Sequence, residues 1–164
     1  MPETGRPSER PPTPAAGFEL TEHTADVGVR AWGPDVDAVF EQAALALVSL
    51  LYDPGAVEER RQYPLDVDAD DAELLLAAWL NEVLYHVDGL RELFAGFRVR
   101  VVGQAPDEGP EPSCAGWRLR AVAGGEGFDP ERHRVTPTVK AATLHGLSLR
   151  RTPAGWEGRV LLDV

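Results

Sequence analysis

Three short stretches hold the residues whose types and spacing could do chemistry. The chain ends on RVLLDV, which sets the Asp163 carboxyl one residue before Val164 and its terminal α-carboxylate. Two carboxylates so close repel each other, so the pair is either solvated or neutralised by a cation or a basic side chain. Near the start, HTAD holds His23 and Asp26 three residues apart in a turn. An Asx-type curl would aim both at one locus; the simpler alternative has Asp26 bonding backbone amides where its strand begins. Alternation through Trp156, Gly158, Val160 and Leu162 sets Asp163 on the face of Glu157 and Arg159, so an exposed Asp163 carboxylate is expected by default. In VKAATLHGL, Lys140 is the sole lysine beside fifteen arginines, with His145 five residues on. A compact ammonium can serve as a point charge or in proton transfer where a planar guanidinium cannot. Chance retention in an arginine-biased composition competes with that reading.

Other chemistries find less support. DVDADDAE starts like a calcium-binding EF-hand loop, but Asp71 stands where its glycine belongs and Ala77 where its glutamate belongs, so capping and solvation are the expected roles. GGEGFDPERH lacks the strand-then-helix surroundings of a phosphate cradle and is expected to be a mobile loop. No GxSxG, HExxH or CxxC occurs, and Cys114 is the only cysteine, set in a proline-rich stretch. A nucleophilic enzyme is therefore poorly supported, and no internal disulfide or multi-thiolate metal site can form.

The elements that must position these residues are legible in the periodicity. At 164 residues the chain fits one domain, and its longest apolar run, AALALVSLL, is too short to span a bilayer. Residues 1–16 hold five of the fourteen prolines and read as a disordered tail before a domain at 17–164. FELTEHTADVGVRAWG reads as strand, turn and strand. A helix follows, N-capped by Asp35 and ended by Asp53, Pro54 and Gly55. An edge strand containing Pro64 leads to a second, nearly all-apolar helix, where Asp70 and Glu73 resemble a capping box, Gly89 ends the run, and Asn81, Glu82 and His86 are the polar positions. Past residue 91 the period falls to two, closing on a hairpin around residues 152–155. The expected class is α+β, two layers, with helices packed on a mainly antiparallel sheet. The net charge of −11 sits almost wholly in residues 1–90, which hold 18 acids against 5 bases. Such a chain is expected to meet metal ions or a basic protein partner before nucleic acid, because neutralising phosphates needs clustered Lys and Arg.

HTADVGVRAWG, LNEVLYHVDG, FDPERH, VKAATLHGL and GWEGRVLLDV together resemble the archease family, in content and in order, from about Phe18 to Val164. The proline-rich tail and PDEGPEPSCAG look like additions, and Leu144 stands where an aromatic is common in the family. The resemblance implies a strand-helix-strand-strand (SHS2-like) module with a related module inserted. It implies a cytoplasmic accessory protein, not an enzyme by itself, that activates an RtcB-type RNA ligase by promoting ligase guanylation and multiple turnover in tRNA splicing or RNA repair. RNA would be met only indirectly through the ligase, and no membrane is involved. The metal site carries over to Asp26, Asp163 and Val164, for calcium above all, with manganese or magnesium as other oxygen-seeking ions. His23, Glu82, Lys140 and His145 fall in the matching motifs as candidate ligase-activation residues without individual roles. Two other classes stay open: a metal-dependent phosphoesterase using the same carboxylates, and a non-catalytic small-ligand module.

Overall fold

The computed structural model describes residues 15–22, 25–103 and 116–164. The strands are β1 (Gly17–Glu22), β2 (Asp26–Gly33), β3 (Arg61–Ala69), β4 (Glu92–Gly103), β5 (Trp117–Gly127), β6 (Ala141–Thr152) and β7 (Gly155–Asp163); the helices are α1 (Val36–Leu51) and α2 (Ala72–Asp88). Where one mainly antiparallel sheet was expected, two wholly antiparallel sheets form, ordered β1-β2-β7-β6 and β3-β5-β4. The α+β class stands, and the doubling is explicit. The segments β2, α1, β6, β7 and β3, α2, β4, β5 each run strand, helix, strand, strand, with the last strand central. The second unit lies between α1 and β6 of the first.

The helices start where aspartates can cap them. Asp35 accepts from Ala38 N at 2.8 Å and Asp71 accepts from Leu74 N at 2.8 Å. The second cap corrects the expected Asp70–Glu73 box: Asp71 has the extended backbone of an N-cap, φ −141° and ψ 170°, and Glu73 is directed elsewhere. Gly89 caps the other end of α2, as its position suggested. Both helices bury broad apolar faces in one continuous core, where Trp79 donates its indole N–H to Phe40 O of the other helix at 3.0 Å. No helix among the described residues is long and apolar enough to cross a membrane.

Each helix also seals an edge of the other unit's sheet. On α1, Asp37 accepts from Val101 N at 2.8 Å and Glu41 from Val99 N at 2.9 Å, both on edge strand β4. On α2, Glu73 accepts from Leu149 N at 3.4 Å, while the Asn81 amide accepts from Ala142 N at 2.8 Å and donates to Ala142 O at 3.3 Å, both on edge strand β6. Exposed strand edges invite pairing with other chains, and side-chain cover removes the invitation.

GGEGFDPERH is only in part the loop expected. Gly124 to Gly127 continue β5, pressed against β4 so closely that a Cβ on Gly125 would collide with Leu93 O. An irregular strap follows to Lys140. Thr136 N bonds Leu51 O at 2.7 Å, tying the strap to the C-terminus of α1.

Candidate functional site

Register in the four-stranded sheet sets the chemistry. Asp26 opens β2 and Asp163 closes β7, and the two are direct cross-strand partners. Alternation turns Val27, Val29, Val160 and Leu162 toward the helices, so the two aspartates share the opposite face with Gly28, Arg30, Arg159 and Leu161. Directly opposed side chains in an antiparallel pair root about 5 Å apart, and like charges there are destabilising. A third segment arrives beside them: Ala141 pairs with Asp163 and Lys140 N donates to Asp163 O at 2.8 Å. Asp163, Val164 and Lys140 are exposed. Two carboxylates and the chain terminus thus meet at one rim of the sheet, with the lone lysine at its margin.

These donors are all oxygens, which suits a hard divalent cation. Among the described residues no set of three His, Cys, Asp or Glu side chains is gathered as a metal-ligating group; the oxygens of Val164 follow directly on Asp163. His23 lies outside the described residues.

Two residues along the strands from the aspartates, a cleft of about 470 Å³ opens on the same face, lined by Thr21, Gly28, Arg30, His145, Arg159 and Leu161 among others. His145 reaches it because β6 leaves register between Thr143 and Ser148, with Gly146 at φ 68° in the bulge. Asp163 is exposed, as alternation suggested; beyond the cleft, on the same face, Glu157 is buried. Three arginines enclose it, Arg159 at 2.8 Å, Arg30 at 3.2 Å and Arg150 at 3.7 Å. The Arg159 hydrogen bond, with Arg30 beside it, holds the Glu157 carboxyl below the ordinary carboxylate range.

The remaining predicted residues part company. Glu82 faces His86 Nε2 at 3.2 Å, whose Nδ1 meets Glu92 at 2.7 Å. Among the described residues no hydrogen bond or ion pair joins Glu82 or His145 to the aspartate pair.

A buried cluster was missed. Glu126, only 4% exposed, takes Arg132 at 2.6 and 3.2 Å, His133 Nε2 at 2.7 Å, Arg60 at 3.2 Å and Glu58 N at 3.2 Å. His133 Nδ1 accepts from Asp129 N at 2.9 Å, which leaves Nε2 as the donor. Hydrogen bonding from Arg132 above all, against the cost of burial, pushes the Glu126 carboxyl down to about 2. This clamp anchors the strap that ends at Lys140. FDPERH carried the signal as a motif, but nothing in it named Glu126 as the acceptor.

Comparison with known proteins follows the same span. The Archease protein family model matches residues 18–164. The chain is 33% identical to the protein named archease of Methanosarcina acetivorans, over 93% of this chain and 99% of that one. It is 34% identical to the archease of Pyrococcus furiosus, over 90% and 98%. Its fold is similar to the solution structure of Methanobacterium thermoautotrophicum protein 1598, with a TM-score of 0.71 and 31% identity over 90% of this chain and 99% of that one.

Proposed function

The chain belongs to the archease family, and from that membership we propose that it is a cytoplasmic accessory protein that activates an RtcB-type RNA ligase through a divalent cation held at its sheet rim. The observation carrying this reading is the Asp26–Asp163 cross-strand pair beside the chain terminus, a like-charge contact that a cation would turn from a cost into a ligand set. Asp26, Asp163 and a Val164 oxygen would hold the ion, with calcium favoured by an all-oxygen, flexible site. When bound, the ion supplies fixed positive charge. Lys140 adds an ammonium at the same rim, and phosphoryl transfer, the chemistry of ligase guanylation, depends chiefly on positioned positive charge. In this reading the protein performs no turnover alone and meets RNA through the ligase, in tRNA splicing or RNA repair.

The test is a guanylation and multiple-turnover ligation assay with a cognate ligase, with and without this protein. Stimulation by the intact protein and its loss in Asp163→Asn are expected. Turnover of phosphoester substrates by the protein alone would establish the phosphoesterase reading instead, and absence of any stimulation would remove the accessory role.

A further inference from the structure

The outward face of the β3-β5-β4 sheet has no part in the site above. Alternation sends Phe97, Val99, Leu119 and Ala121 into the core and Arg98, Arg100, Arg118 and Arg120 to solvent. Four of the chain's fifteen arginines thus stand on one side of two neighbouring strands, in a chain of net charge −11. Arg100 and Arg120 are direct cross-strand partners. Like charges so placed destabilise a sheet; Arg118 and Arg120 are also matched across the ladder to Asp68 and Asp66, so the positive charge that folding does not account for is that of Arg98 and Arg100.

The counter-charge is incomplete. Asp66 approaches Arg118 at 3.5 Å and Arg120 at 3.9 Å, yet those arginines remain 57% and 71% exposed. On β3, Asp66 and Asp68 stand directly opposite Arg120 and Arg118; Glu59 borders Gly96 and Gly124 at one flank, and Glu41 at the other is turned to Val99 N. Arg98 and Arg100 enter no ion pair among the described residues. Along a strand, residues two apart are separated by about 6.8 Å, and strands lie about 4.8 Å apart, so the four guanidinium groups spring from one small patch.

The composition of the patch selects the occupant. Protein interfaces centre on aromatic and aliphatic anchors and keep charge from the middle, whereas nucleic-acid surfaces are polar and strongly positive. Between the arginines this face offers Gly96, Val102, Val122 and Gly124 and, among the described residues, no outward aromatic side chain. It is a sheet face with no helix set to enter a duplex groove. We propose that it binds the phosphodiester backbone of single-stranded RNA through Arg98, Arg100, Arg118 and Arg120. The choice of RNA over DNA rests on the ligase reading, to which the proposal adds a direct contact between this chain and the RNA; the surface itself does not rest on it. The net charge of −11 does not bar such binding, because clustering, not the total, decides it.

The test uses the full chain without any ligase, so its outcome is separate from that of the activation assay. Fluorescence anisotropy of a labelled oligouridylate is followed between about 50 and 200 mM salt, where four phosphate contacts at about −0.7 each predict a log–log slope of about −2.8. Arg98→Ala/Arg100→Ala should weaken binding and cut the slope to about −1.4, with no fall in melting temperature because a like-charge contact has gone. A control, Arg134→Ala/Arg151→Ala, should keep the original slope. No binding at the lowest salt, or equal loss of slope in both double variants, would overturn the proposal. Displacement of the RNA by an equal charge of polyglutamate would overturn it in favour of an acidic protein partner.

Discussion

At the scale of single residues, the rim and the clamp make opposite demands on their carboxylates. Asp26 and Asp163 face each other across a ladder, whereas Glu126 is surrounded by donors. Because the Glu126 carboxyl sits at about 2 in the folded chain against 4.5 ordinarily, its stabilising contribution is complete above the ordinary value and is lost as pH falls toward the folded one. Urea denaturation at stepped pH should therefore show stability dropping through that acid window, and Glu126→Gln should be less stable near neutrality with a flatter acid limb. An unchanged limb would remove Glu126 as its source. At the rim, Asp163→Asn should lower metal affinity and ligase activation together, and one residue added after Val164 should weaken binding further if the α-carboxylate is a ligand; calorimetric titration of calcium distinguishes the cases. Lys140→Arg should impair activation more than stability, since charge is kept and compactness is not. At the rim, strand alternation gave the exposure of Asp163 because it is a local fact, while the pairing of Asp26 with Asp163 was reached only through the family resemblance. Glu126 was not legible in the sequence, since one of its donors, Glu58 N, lies 68 residues away and no local pattern announces such a meeting.

At the scale of elements, boundaries were readable where side chains alternate and unreadable where they do not. The strand pattern of β5 fades at Gly124 because Gly-Gly-Glu-Gly offers no apolar face, yet the ladder runs on to Gly127. Close backbone approach is the reason glycine is needed there, so Gly125→Ala should destabilise by about 3 kcal/mol as β4 is forced away from β5. The start of α2 was displaced by one residue, because adjacent aspartates both satisfy the sequence rule and only backbone geometry decides between them. Asp71→Ala should cost about 1 kcal/mol and Asp70→Ala little; thermal denaturation of the two variants separates them, and the reverse order would return the cap to Asp70. Doubling of the strand-helix-strand-strand pattern was reached through the family resemblance and stands in the order of elements. Division into two sheets was not, because pairing partners are set by contacts far apart in the chain.

At the scale of the whole molecule, charge is sorted in a way the total of −11 conceals. The rim gathers carboxylates, the far sheet gathers arginines that its acids offset only in part, and a protein with both can touch a cation and a polyanion at separate places. The reciprocal sealing of sheet edges by the opposite unit's helix has a further consequence, for exchange with solvent. The amide protons of Val99, Val101, Ala142 and Leu149 lie on outer strands, where local fraying ordinarily lets hydrogen exchange quickly. Here each is bonded to a side chain on a helix of the other unit, so neither edge can open without loosening the helix that belongs to its neighbour. In deuterated buffer these edge amides should exchange as slowly as central ones, and all at one rate, marking two related units that unfold as a single body.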